Sequence, residues 1–124
     1  MRKSVATTAG LVAVLASFAF APAAFAGNFY LYENTGYGGH VATFTGSDTE
    51  LNNKYWDGTA SFMQNRASSM KNYSSHAVGM WDIGNQDKPT VRCTGPSYTA
   101  QANSVDSSFA NNNFNDKASC VIFL

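Results

Sequence analysis

Beyond its first three residues this chain has no cluster of basic residues. Arg2 and Lys3 stand together at the start, and the other six lysines and arginines are scattered singly as far as Lys117. A protein that holds nucleic acid or an anionic membrane gathers such charges on one face, so both partner classes lose their usual driving force. Charge of either sign is sparse, at 13% of residues. The motifs of common catalysis are missing too: there is no Gly-x-Ser-x-Gly elbow, no His-Glu-x-x-His and no phosphate loop. The only histidines, His40 and His76, fall in turn-like or boundary contexts. The expectation is a non-enzymatic protein with no catalytic residues and no required cofactor. Helical periodicity is lacking as well, which leaves β-structure to organise the fold.

One apolar run is present, and it is short. Arg2 and Lys3 precede an Ala-rich stretch from about Ala9 to Phe20, and Ala24-Phe25-Ala26 follows. This is the pattern of a signal peptide cleaved after residue 26, and the run is too short for a comfortable membrane span. The expected mature protein is secreted, free of the membrane and monomeric. It spans Gly27 to Leu124 as a single domain with six basic and eight acidic residues, a net charge of −2. Cys93 and Cys120 are the only cysteines, and both lie in the exported part. An even pair in an oxidising compartment reads as a disulfide, which a domain this small uses to supplement a modest core. A catalytic thiol would instead need a free cysteine beside His40 or His76.

What is abundant is aromatic, glycine and small polar residues. Short β-rich runs occur at Phe29–Tyr32, Val41–Phe44, Ala77–Trp81, Thr90–Cys93 and Cys120–Leu124. Clusters such as Asn34-Thr35-Gly36, Thr45-Gly46-Ser47-Asp48 and Thr94-Gly95-Pro96-Ser97 separate them, and Asp48–Leu51 has room for one helical turn. Such punctuation indicates an all-β sandwich or barrel. The chain also repeats itself. A shift of 49 lays Tyr32-Glu33 on Trp81-Asp82 and Thr45-Gly46 on Thr94-Gly95. A shift of 51 lays Gln64-Asn65-Arg66-Ala67-Ser68-Ser69 on Asn115-Asp116-Lys117-Ala118-Ser119-Cys120. The halves are about 28–75 and 76–124, each with too little core to fold alone.

Within the first half, Tyr32-x4-Tyr37-x-Gly39 precedes Arg66-Ala67-Ser68-Ser69 by some 25 to 30 residues. This suits a hairpin folded over itself. Glycine permits the backbone angle, one ring packs across the bend, and the downstream serine bonds the hairpin backbone. In these residues the chain resembles the βγ-crystallin Greek-key proteins. More narrowly it resembles the small exported bacterial proteins of peptidase inhibitor family I36. The resemblance implies two Greek-key motifs packed as a βγ-crystallin-like sandwich. The second half departs from the pattern: Gln86 and Lys88 stand at the positions of Tyr37 and Gly39, and Cys120 stands at that of Ser69.

The resemblance also implies sites. Inhibitory members present a rigid exposed loop beside a disulfide to an extracellular peptidase, in particular a metallopeptidase. The nearest equivalent here is Val91 to Tyr98, with Arg92, Cys93 and Thr94 as the contacts. Calcium-binding members carry two Asn/Asp residues, two variable residues, then Ser/Thr and Ser. That pattern selects Asn65 and Ser68 in one half and Asp116 and Ser119 in the other, with Glu33 and Asp82 adding oxygens from the hairpins. Oxygen-only donors are what a hard cation takes. A secreted peptidase inhibitor is therefore the leading expectation. A calcium-binding structural or extracellular binding protein and a small antimicrobial toxin of the same fold are the alternatives. Tyr55, Trp56 and Tyr98 are aromatics that could meet a sugar or a partner if exposed.

Overall fold

The computed structural model of the protein describes residues 27–84 and 93–124. The expected signal peptide, Arg92 and the tip of the second hairpin with Gln86 and Lys88 lie outside the described residues.

Alternation within the strands builds the core. In β1 (Phe29–Tyr32), Phe29 and Leu31 point inward and are fully buried, while Tyr30 and Tyr32 face out. β2 (Val41–Phe44) pairs antiparallel with it and sets Phe44 opposite Phe29 and Ala42 opposite Leu31. β3 (Ser69–Asn72) flanks β1 on its other edge. The second half supplies β4 (Val78–Ile83), β5 (Thr94–Ala100), β6 (Ser104–Asp106) and β7 (Cys120–Phe123). Gly79 is needed within β4, because a Cβ there would lie 2.6 Å from the Trp81 ring folded over it.

The halves exchange strands. One sheet has the order β2-β1-β3-β6 and the other β5-β4-β7, so β6 leaves its own half to complete the first sheet. In return, Asp48 of the first half forms an isolated bridge to Val121 in β7, with both backbone bonds 2.8 Å long. Between the sheets lies one apolar cluster that includes Phe29, Leu31, Phe44, Trp56, Met70, Met80, Phe109, Phe114 and Val121. The all-β reading and the crystallin-like pairing of two Greek keys hold.

Several local expectations change. The short helical turn falls at Leu51–Asn53, after Asp48 has entered its bridge. Thr94-Gly95-Pro96-Ser97 opens β5 instead of separating strands. Proline is tolerated there because β5 is an edge strand. Trp56 is fully buried, so it is core and no candidate for contact. Tyr98 is half-buried, and its hydroxyl donates to Asp106 at 2.8 Å. A single disulfide joins Cys93 to Cys120, with their Cα atoms 6.2 Å apart.

Candidate functional site

The first hairpin folds over as its residues require. Glu33 N–H donates to the His40 carbonyl at 2.9 Å and Asn34 N–H to that of Gly38 at 3.0 Å. Gly39 has φ +74, and a Cβ there would meet the Asn34 side chain at 2.7 Å. The Tyr32 and Tyr37 rings meet edge-on at 5.7 Å, and Lys71 Nζ sits 4.6 Å from the centre of the Tyr37 ring. Ser69, fully buried, holds the bend closed: its hydroxyl accepts from Tyr37 N–H at 3.1 Å and donates to the Asn34 carbonyl at 2.6 Å. Glu33 turns its carboxylate onto His40, accepting the backbone N–H at 3.3 Å with ring Nδ1 at 2.8 Å. Chiefly the backbone bond, and then the ring, hold the Glu33 carboxyl below its ordinary pKa.

The two Asn/Asp-bearing loops face each other across the boundary between the halves. Asn65 and Asp116 both adopt left-handed backbone with φ 57. Asn65 N–H donates to the Ala118 carbonyl and Asp116 N–H to the Ala67 carbonyl, each at 3.0 Å. In the same reciprocal way, Ser68 N–H donates to the Tyr32 carbonyl and Ser119 N–H to that of Trp81, each at 2.9 Å. The fold therefore gathers Asn65, Ser68, Asp116 and Ser119 at one seam. Glu33 and Asp82 follow directly on the two hairpin residues whose carbonyls the serines hold. The side chains are partly committed, since the Ser119 hydroxyl donates to Asn65 Oδ1 at 2.5 Å and Glu33 is engaged by His40. Among the described residues, no three His, Cys, Asp or Glu side chains group closely enough to hold a metal. A cation at this seam would thus rely on carbonyl and amide oxygens with few carboxylates.

The Cys93 segment is built differently. Thr94 to Ser97 are exposed at the free edge of the second sheet, and Thr94 pairs only with Ile83 of β4. Just before them, Cys93 is bonded to Cys120, the buried first residue of β7, which itself pairs with Trp81 of β4. Thr94 is therefore exposed and Cys93 half-buried, and the pair is held from both sides, by a covalent link on one and a strand ladder on the other. The expected loop is, from Thr94 onward, an extended strand.

One exposed feature escaped the sequence. Tyr55 and Phe62 stack at 4.6 Å on the outside of a short hairpin, a pairing with Phe62 that the spacing around Tyr55 does not announce. The signal was an inverted pairing, Tyr55-Trp56 against Phe62-Met63, around the turn residues Asp57-Gly58.

Comparison with known proteins agrees with this geometry. A family model described as peptidase inhibitor family I36 matches residues 21–94, more than half of the chain. No curated protein matches it. In fold it is similar to a βγ-crystallin from Ciona intestinalis, with TM-score 0.60, 20% identity, and coverage of 79% of this chain and 100% of that one. A βγ-crystallin domain from Clostridium beijerinckii gives 0.55 at 22% identity, covering 77% and 95%. An archaeal βγ-crystallin gives 0.57 at 14% identity, covering 78% and 96%.

Proposed function

The chain belongs to peptidase inhibitor family I36, and from that premise we propose that it is a secreted, monomeric, non-enzymatic inhibitor of an extracellular metallopeptidase. One observation carries the reading: the half-buried Cys93 and the exposed Thr94 are clamped between the Cys120 disulfide and the β4 pairing. A segment already ordered in extended form loses little entropy on entering a peptidase cleft, where substrates also lie extended. Hydrolysis there would not release a product. The new end at Cys93 stays tethered through sulfur, and the new end at Thr94 stays on the ladder with Ile83. The proposed contact also takes in Arg92, which precedes Cys93 in the sequence. The test is titration of a thermolysin-like metallopeptidase and, in parallel, a serine peptidase. Stoichiometric loss of the metallopeptidase activity is expected, and full activity of both at micromolar protein refutes the reading.

A second reading has its own observation, the reciprocal pair of left-handed turns at Asn65 and Asp116. Calcium seated there would draw on Asn65, Ser68, Asp116 and Ser119, with Glu33 and Asp82 nearby. It would supply charge that ties the halves together. Because few carboxylates are available, affinity should sit in the range of extracellular modules, on the order of 10⁻⁴–10⁻³ M. Calcium in the millimolar range should then raise the melting temperature, and an unchanged temperature counts against the site.

A further inference from the structure

We infer that the free edge of β5 is a strand-pairing surface for the target peptidase: an extended backbone segment from the wall of its cleft adds there, bonding the outward main-chain groups of Ser97 and Thr99. This deepens the inhibitor reading above and rests on it. The ladders fix which way the backbone faces. The N–H and carbonyl of one antiparallel strand residue point to the same edge, and successive residues alternate. Both groups of Val121 in β7 bond Asp48 at 2.8 Å, so they turn away from β4. Met80, opposite Val121, therefore turns its own pair toward Tyr98 of β5. Ala100 faces β4 in the same way opposite Val78, and the alternate residues Ser97 and Thr99 face outward.

The protein's own chain guards the other sheet edges. On β2, the Val41 carbonyl accepts from Asp57 N–H at 2.8 Å and Thr43 N–H donates to Asp57 Oδ1 at 3.4 Å. On β7, the Asp48 bridge is continued by Phe123 N–H, which donates to Ser47 Oγ at 2.9 Å. β6 is short, at three residues. β5 runs for seven residues and ends its sheet. Ser97 and Thr99 are exposed, and among the described residues no hydrogen bond occupies their outward groups. An unpaired edge of this kind is a template for another extended chain.

Chemistry and position together name the occupant. Each outward residue offers one donor and one acceptor at main-chain spacing, which extended backbone matches and a small ligand does not. The same strand opens with Thr94, the residue proposed to enter the cleft, and Ser97 follows three residues later. A chain lying extended in a cleft meets the cleft wall along its edge, so the wall that receives Thr94 also reaches Ser97 and Thr99. A groove of about 530 Å³ lined by Pro96, Ala110, Asn113, Asn115 and Lys117 adjoins the strand at Pro96 and leaves room for the side chains of an added segment. Pro96 and the register shift between Trp81 and Ile83 interrupt the edge, which works against a long ladder with a second copy of this chain.

The experiment reads amide hydrogen exchange of the wild-type chain, free and saturated with the peptidase that it inhibits. In the free chain the Ser97 and Thr99 amides should exchange fast while those of Tyr98 and Ala100 are protected. In the complex Ser97 and Thr99 should slow by about tenfold or more. Unchanged exchange at both positions in an inhibited complex overturns the inference and leaves the inhibitor reading intact. Protection of both in the free monomer also overturns it, because the edge is then already closed. In parallel, S97P and T99P each remove an outward N–H without touching a bond to β4, as an edge strand allows. Each should weaken inhibition about tenfold, the worth of one backbone bond, while S97A/T99A, which changes side chains alone, inhibits like wild type. Weak S97A/T99A beside proline variants of full strength overturns the inference. Melting temperatures confirm folding, and the exchange measurement decides if a proline variant unfolds. A wild-type chain that inhibits neither peptidase refutes the inhibitor reading, and the inference falls with it. A dimer in sedimentation whose formation protects Ser97 and Thr99 assigns the edge to a second copy and overturns it.

Discussion

Asn72 is fully buried where the two halves meet, and replacing it should cost more than any surface change nearby. Its amide nitrogen lies 2.8 Å from the His76 carbonyl, 3.0 Å from that of Gln101 and 3.3 Å from that of Ala100. Its oxygen accepts from the Ser74 N–H at 3.0 Å and from the Ser74 hydroxyl at 2.7 Å. In N72A the losses are unequal. The His76 carbonyl keeps a bond from the Ser74 hydroxyl, and the Gln101 carbonyl keeps one from the Ser104 hydroxyl. The buried Ser74 N–H loses its acceptor and the Ala100 carbonyl loses its side-chain donor. At about 1–3 kcal/mol for each group left unsatisfied, N72A should cost about 3 kcal/mol. For a domain of this size that lowers the melting temperature by about 12–24 °C.

N72D separates hydrogen bonding from mere volume. It keeps the acceptor for Ser74 but turns a carboxyl oxygen toward three carbonyls. Burial and those dipoles would hold the introduced carboxyl above its unfolded pKa of about 3.9. A group whose folded pKa is raised keeps its stability below the unfolded value and loses it as pH rises through the folded one. N72D should therefore lie nearest wild type at acid pH and fall below N72A at pH 7. Urea unfolding of the three proteins at pH 4 and pH 7, compared at constant slope, reads this directly. An N72A cost under about 1 kcal/mol, or N72D at least as stable as N72A at pH 7, refutes the reasoning.

Three other perturbations follow from the same contacts. S69A strips the hydroxyl that bridges Tyr37 and Asn34; it should cost about 1–3 kcal/mol by urea unfolding, and a loss below about 0.5 kcal/mol would mean the bend closes without it. C93A/C120A opens a loop whose ends are 27 residues apart and should destabilise by about 3.5 kcal/mol, whereas an unchanged midpoint would show the covalent link to be redundant. Glu33 carries a lowered pKa from its bonds to His40; its contribution is complete above the unfolded carboxyl pKa and fades as pH falls through the folded one, so the melting temperatures of wild type and E33Q should converge in acid, and a constant gap between them from neutral to acid pH contradicts this.

How far the sequence could be read depended on where the information lay. β1 and β2 were legible because Phe29, Leu31, Ala42 and Phe44 alternate with outward residues and flank turn chemistry. β3 was not, since Ser69-Met70-Lys71-Asn72 has the composition of a loop. Its place is set by pairing to β1 and β6, and Asn72 is buried only because a polar network receives it. β5 was hidden for a related reason. Thr94-Gly95-Pro96-Ser97 reads as a turn, and only the neighbouring β4 makes it a strand. At the candidate sites, the shift of 51 lays Asn65 over Asp116 and Ser68 over Ser119, and the backbone bonds at these positions match between the halves. The engagement of Glu33 by His40 and of Asn65 by Ser119 depends on side-chain directions that no spacing reveals.

The halves have also diverged in complementary ways. The first has the serine that closes its hairpin, but its exchanged segment makes only the single bridge at Asp48. The second keeps a full exchanged strand, β6, yet Cys120 stands where the closing serine would be. A disulfide sulfur has no hydrogen to donate and accepts only weakly, so it does not replace the Ser69 hydroxyl, which donates to one backbone group while accepting from another. The bond to Cys93 replaces that local closure with a covalent one, and in doing so it fixes the exposed Cys93–Thr94 segment. Fold maintenance and the proposed inhibitory contact thus converge on one position, where Cys120 matches Ser69 of the first half. Neither half holds a complete set of closures, so the sandwich should unfold as one cooperative unit. The seam between its repeats is where it is most sensitive to change.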